Sequence, residues 1–298
     1  MPRLKVWLLE TRPNFLLLTP ITYSVGLASA LIQGYSNPLN ALLGLLGALL
    51  AHISVNVLND YYDYKSGLDL RTRRTPFSGG SGILPEGLLN PEKVYILGLS
   101  TLFLGLLIGV YFLLTLGLGL LLILIPAALS VYFYTTHLSR WYVGEFFAGL
   151  NFGPLMALGA YYLQAGHLDW TPFIAGVIPG ILVGTLLFLN EFPDVEADLS
   201  VGRRNFVIFL GRRRASRVYA LLIISVYLYI ISTILLGLLP ETCILSLITA
   251  PIAYRAIRGA LTNYDDMEAL IPAMASNVLV VLSTSALTAL GLALALLL

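Results

Sequence analysis

Apolar residues run in stretches of about twenty, separated by short polar or Pro/Gly-containing segments, the length that a bilayer core demands of a helix. The pattern predicts about nine transmembrane helices, over residues 13–33, 39–63, 93–114, 118–136, 143–164, 172–195, 213–238, 241–259 and 270–297. Strands are excluded because the stretches lack the ten-residue alternation of barrel proteins, and lipid leaves each segment to satisfy its own backbone polar groups. The expectation is an all-α polytopic membrane protein with its helices around a central cavity, forming one domain over 1–298. Cap loops are expected at about 64–92, 136–142 and 196–212. The N-terminal arm runs into the first apolar stretch with no small-residue cleavage site, so that stretch reads as a helix and not as a signal peptide.

Composition agrees with the pattern. The chain is 58% hydrophobic and 11% charged, with a mean hydropathy of +0.85, too few charges to cover a soluble surface or keep a chain disordered. A net charge of +1 offers no field for nucleic acid. The single cysteine, Cys243, rules out an internal disulfide framework.

Charge placement tests the count of spans. With nine helices, every Lys and Arg falls in the N-terminal arm or in the loops on the same side. Arg3, Lys5 and Arg12 lie in the arm; Lys65, Arg71, Arg73, Arg74 and Lys93 lie by the 2–3 loop. Arg140 follows span 4; Arg203, Arg204, Arg212, Arg213, Arg214 and Arg217 surround the 6–7 loop; Arg255 and Arg258 close the set. The positive-inside rule makes this face, and the N-terminus, cytoplasmic.

Ionisable residues at membrane helix ends are costly and point to function. One cluster closes span 2, in NVLNDYYDYKSGLD: Asn56, Asn59, Asp60, Asp63 and Asp69. A second closes span 6, in NEFPDVEAD: Asn190, Glu191, Asp194, Glu196 and Asp198. On a helix, residues four apart share a face, which groups Asn59 with Asp63, and Asn190 with Asp194 and Asp198. Two helices presenting carboxylates to one cavity offer the all-oxygen surroundings that Mg²⁺ prefers. The adjoining loops, RTRRTPFSGGSGILPEG and VGRRNFVIFLGRRR, supply arginine forks and backbone amides suited to phosphate. Carboxylates, metal and arginines around one cavity imply a diphosphate, and a membrane wall implies an apolar tail on it. The Gly79–Gly82 run is a candidate lid. His52, one turn before Asn56, reads as a hydrogen-bonded core residue. The duplicated Asn/Asp pattern also suggests an internal repeat of four helices plus four. A divalent-cation transporter is the competing class, but such sites lie near the midplane and away from arginines; a lipid-binding scaffold gives no reason for the duplication.

These strings resemble the UbiA superfamily of intramembrane aromatic prenyltransferases over essentially the whole chain. The family pattern N-x₃-D with a further Asp fits Asn59, Asp63 and Asp69, and its D-x₃-D pattern fits Asp194 and Asp198. Within the family the resemblance is greatest to the branch that prenylates 1,4-dihydroxy-2-naphthoate in menaquinone synthesis, through NDYYDYKSGLD, Arg12-Pro13 and the string from Tyr134 to Gly166. In two places the match has its own character: Asp69 follows Asp63 by six residues, a spacing that branch shares, and Asn14 stands where many of its members carry lysine. The resemblance implies Mg²⁺, two ions, held by Asn59, Asp63, Asp194 and Asp198 as catalytic ligands, with Asp60, Asp69 and Asn190 in support. Arg12, Lys65, Arg71, Arg73, Arg74, Arg203 and Arg204 would bind diphosphate, and Asn56, Tyr62, Tyr134, Glu145 and Asn151 would hold the acceptor or shield a cation. The implied partners are a polyprenyl diphosphate donor, an aromatic acceptor and the bilayer, with no obligate protein. A tail groove open sideways to lipid would set no sharp donor length. Members with other acceptors, such as the glycerol phosphate of archaeal ether lipids, keep the acceptor open.

Overall fold

The computed structural model describes residues 3–297, all of its regular structure helical. The Arg3 side chain, part of the predicted charge distribution, lies outside what is described. A short helix α1 (Arg3–Glu10) precedes α2 (Pro13–Leu31), α3 (Pro38–Lys65), α4 (Pro91–Leu116), α5 (Leu118–Phe133), α6 (Gly144–Ala165) and α7 (Trp170–Asn190). Two further short helices, α8 (Val195–Ser200) and α9 (Phe206–Leu210), lead to α10 (Arg212–Leu235), α11 (Glu241–Thr262) and α12 (Met267–Leu297). Among the described residues eight helices are long and apolar enough to span a membrane, and the fourth predicted span, 118–136, forms the shorter apolar helix α5. The prediction of about nine becomes eight full-length spans and one short one. The protein is an integral, multi-pass membrane protein.

Helix ends follow local chemistry. Asn37, Asn90, Asp169 and Asp266 each accept a backbone N–H from the first turn of α3, α4, α7 and α12, satisfying donors that lipid cannot. The sixth predicted span, 172–195, is cut short: α7 stops at Asn190, and Glu191 to Asp194 form a turn before α8. Pro193 explains this, because it has no N–H to donate and its ring clashes with the carbonyl four residues back. Asn190, Asp194 and Asp198 therefore do not share one continuous helical face. Asp194 and Asp198 still lie one turn apart, with the Asp198 N–H on the Asp194 carbonyl at 2.8 Å.

Apolar side chains gain little by leaving lipid for one another, so these helices associate through close backbone approach. α2 packs on α6, α7 and α12; α3 lies along α4; α10 and α12 cover the other side of α7, with α11 packed against both of them. Where α6 meets α7, Gly153 faces the backbone of Gly176 and Gly180 with no room for a Cβ. At the same place Asn151–Leu155 widens into a π turn around Pro154, which absorbs the missing proline donor. We expect Gly153→Val to force α6 from α7 and lower stability by about 1–3 kcal/mol, with Gly153→Ala milder. Thermal unfolding in detergent checks this, and an unchanged melting temperature for Gly153→Val would refute the seam.

Candidate active site

The acid-bearing end of α3 and the acidic segment that follows α7 face one cavity at the same end of the bundle, beside the 66–90 and 191–211 segments. Contacts tie these segments together: Arg71 donates to the Ser200 carbonyl and hydroxyl at 3.2 and 3.1 Å, and Arg73 pairs with Glu268 at the start of α12 at 2.6 Å. Beneath them is a cavity of about 420 Å³, polar at this end and apolar beyond, within the size range of small-molecule sites.

Two arginines organise the polar end. Arg12 stands at the elbow between α1 and α2 with a left-handed backbone (φ 53°) just before Pro13, a conformation that costs a non-glycine residue on the order of 1 kcal/mol. Its guanidinium holds that elbow in place: it pairs with Asp60 and donates to Asn59 Oδ1 at 3.3 Å. Arg203 pairs with Asp63 and lies 3.6 Å from Asp198 Oδ1, so it bridges the first acidic string to the second. Asn59 completes the first group by donating to Asp63 Oδ2 at 3.0 Å and to Thr135 at 3.2 Å. Asn205, which the sequence did not single out, donates to Asp198 Oδ2 at 2.9 Å.

The acids divide into satisfied and unsatisfied groups. Asp60, 1% exposed, receives Arg12 on one oxygen and the Ser81 N–H on the other at 3.0 Å, and it does not line the cavity. By contrast, Asp69 Oδ2, Asn190 Oδ1, Glu191 Oε2, Asp194 Oδ1 and Asp198 Oδ1 are buried without a hydrogen-bond partner, and all five residues line the cavity. Unpaired buried oxygens are expensive, and five facing one space form a cation's surroundings. Among the described residues no three acids or histidines already form a closed cage.

The structure sorts the other predicted residues. Asn56, Asn59, Asp63, Asp69, Tyr134, Asn151, Asn190, Asp194, Asp198, Arg12 and Arg203 line the cavity. Lys65, Arg71, Arg73, Arg74 and Arg204 do not. Lys65 is held by Glu92 at 2.9 Å, and Arg74 by Glu86 and the Ser81 carbonyl; long flexible side chains find the nearest partner, and spacing in a loop does not tell which. Tyr62 also lies outside, edge-on to Tyr61 and Tyr95, and Glu145 sits behind the wall, accepting the Phe206 N–H at 3.1 Å. His52 lines the cavity but is bonded to Thr19 Oγ1 at 2.7 Å and rests edge-on against Phe152. Glu10, missed in the sequence because it lies in a short arm, is fully buried and accepts the Ser81 hydroxyl at 3.0 Å. Ser78 to Gly80, from the predicted lid, line the cavity.

With the fold and this geometry in view, the comparisons give the class. The family model described as "UbiA prenyltransferase family" matches residues 18–276. The chain belongs to the UbiA prenyltransferase family and is a prenyltransferase. Among its relatives, the 1,4-dihydroxy-2-naphthoate octaprenyltransferase of Escherichia coli (strain K12) is 28% identical, over 97% of this chain and 96% of the relative. The protein of that name from Bacillus subtilis (strain 168) is 25% identical, over 88% of this chain and 84% of the relative. The structure of a UbiA homolog from Archaeoglobus fulgidus bound to GPP and Mg²⁺ superposes with a TM-score of 0.64 at 16% identity, covering 95% of this chain and 99% of that one. At that identity the likeness is one of fold.

Burial carries a pH signature. Asp69 and Asp194 are pushed up to about 7 by burial, then by the neighbouring charges of Asp63 and Asp198 respectively; burial pushes Asp198 up to about 6. Folded, these groups keep protons that the unfolded chain releases near 3.8. Their contribution to stability is therefore full at low pH and is lost as pH rises through about 6 to 7. We expect the melting temperature of the metal-free protein to fall from pH 4 to pH 7, and Asp69→Asn to flatten the slope. A melting temperature that rises over this window would contradict the assignment.

Proposed function

We propose that this protein moves a polyprenyl group from its diphosphate to an aromatic ring, with 1,4-dihydroxy-2-naphthoate as acceptor and Mg²⁺ as the required cation. The observation that carries the reading is one cavity with five oxygens that accept no hydrogen bond at one end and an apolar continuation at the other. It matches an amphiphile with an anionic head that brings its own metal. Relatives named for naphthoate prenylation support the acceptor, and the GPP- and Mg²⁺-bound neighbour supports the donor and cation.

Asn59, Asp63, Asp194 and Asp198 would hold the metal, two ions in this reading, with Asp69 and Asn190 beside them and Asp60 fixing Arg12 from behind. Bound Mg²⁺ would neutralise charge on the departing diphosphate. Arg12 and Arg203 are the two cations at the cavity wall suited to the remaining phosphate oxygens. Among the tyrosines suggested by the sequence, Tyr134 is the one whose ring borders the cavity and can stabilise an allylic cation. The Ser78–Gly80 cover and the apolar walls exclude water from it.

The bond changes balance without a protein base. The donor C1–O bond breaks with its electron pair leaving on diphosphate. The ring carbon bearing the carboxylate supplies the pair for the new C–C bond. The ring-to-carboxylate bond then breaks, CO₂ departs, and its electrons restore the aromatic ring. Asn56 and Asn151, both at the wall, are placed to orient the acceptor. The arginine-rich end faces the cytoplasm by the positive-inside rule, so diphosphate would leave there, from a single domain spanning 1–298 that needs no protein partner.

The test uses purified protein with Mg²⁺, labelled geranylgeranyl diphosphate and 1,4-dihydroxy-2-naphthoate. The expected product is a prenylated, decarboxylated naphthoquinol, lost with EDTA and reduced at least about a hundredfold by Asp63→Ala or Asp194→Ala, both variants remaining folded. Metal-dependent donor binding without this product would reject the naphthoate acceptor and point to glycerol-phosphate ethers. No donor binding at all would reject the reading, and stabilisation by metal alone would favour a transporter.

A further inference from the structure

The cavity continues from the acids along α3, past Val55, Ala51 and Ala48, to Gly44. There it stops. Tyr23, Phe112, Leu120 and Leu163 close the far end, at 3%, 2%, 2% and 7% exposure. The closure is tight: a Cβ on Gly44 would collide with both Leu163 and the Tyr23 ring hydroxyl. The helix ends beyond it are tied together as well, by Asn40 to the Leu163 carbonyl at 2.8 Å and Tyr162 to the Leu116 carbonyl at 3.3 Å. The far end is therefore closed, and any opening to lipid lies along the side.

One helix carries both ends of this space. Asp63 and Gly44 lie nineteen residues apart on the uninterrupted α3, which is about 28 Å at the helical rise of about 1.5 Å per residue. An extended isoprene unit advances four carbon–carbon bonds of about 1.5 Å each, a projection of about 5 Å. We propose that the floor formed by Tyr23, Phe112, Leu120 and Leu163 acts as a ruler that limits the donor to about five isoprene units. This inference rests on the functional reading above and adds to it the class of donor: a geranylgeranyl tail fits, whereas an octaprenyl tail would need roughly 40 Å. The competing route is sideways. Leu106, on the cavity wall, is 38% exposed, and a tail leaving past it would feel no floor.

The experiment measures Mg²⁺-dependent thermal stabilisation and turnover with inorganic pyrophosphate and with prenyl diphosphates of two to eight units, in the native sequence and two variants. Ala48→Phe raises the floor by one helical turn, about 6 Å, and should shorten the optimum by one unit. Leu163→Ala lowers the floor and should lengthen the optimum; the pyrophosphate response reports whether each variant keeps its head-group site. In the native protein, donors beyond about five units should lose on the order of tenfold or more in turnover. A length profile that is flat, or that both variants leave in place while pyrophosphate still stabilises them, would overturn the ruler and show that the tail exits past Leu106. Failure of pyrophosphate with Mg²⁺ to stabilise the native protein would overturn the functional reading, and the ruler with it.

Discussion

Everything at the polar end follows from one imbalance of buried charge. Glu10, Asp60, Asp63, Asp69, Glu145, Glu191, Asp194 and Asp198 crowd into the end of an apolar bundle, and Arg12 and Arg203 are the cations that enter among them. Removing carboxylates from water is costly unless each finds a partner, and two guanidiniums cannot serve eight acids. The residual deficit has two outlets, protons and external cations. Protonation answers in the metal-free protein, which is why burial raises Asp69, Asp194 and Asp198. A divalent cation answers it in a way that also presents positive charge to a phosphate.

The same reasoning separates structural from chemical acids. Asp60 has both oxygens occupied, and through Arg12 and Ser81 it ties α3 to the N-terminal elbow and the covering loop. Glu10 adds a second tie to that loop through the Ser81 hydroxyl. These groups spend their charge on shape. Asp69 and Asp194 each retain an unpartnered oxygen toward the cavity, and Asp198 Oδ1 has only Arg203 at 3.6 Å, so their desolvation is incompletely compensated until something enters. The strained Arg12 backbone belongs with the first group: the ion pair to Asp60 fixes an elbow that an unpaired arginine would abandon.

How much of this could be read from the chain depends on the range of the interaction. Apolar run length fixed the helices, because the bilayer imposes it locally, and Asn59 with Asp63 shared a face as a four-residue spacing requires. Four-residue spacing misleads where a local breaker intervenes: Pro193 ends α7 early and places Asp194 and Asp198 on a separate turn. Nor does spacing place Lys65, Arg74 and Arg204, which stand away from the cavity, since loop side chains choose partners across the fold. Arg203 reaches Asp63 from 140 positions away while its neighbour Arg204 stays exposed, and no spacing rule distinguishes them. Glu10 was hidden for the same reason, its burial being produced by the covering loop.

The distance between head and floor is of another kind. Loops set the chemistry of the polar end, and loops can shift by ångströms between states. The span from Asp63 to Gly44 is instead a stretch of one hydrogen-bonded helix, whose length is fixed by backbone geometry. Floor and acids are therefore held apart by one continuous helix, while the residues that close the floor come from α2, α4, α6 and the start of α5. Selection on donor length can then act at Gly44, Ala48 or Leu163 without touching a single acid. That independence follows from placing an anionic site at one end of a membrane helix and a blind apolar end near the other.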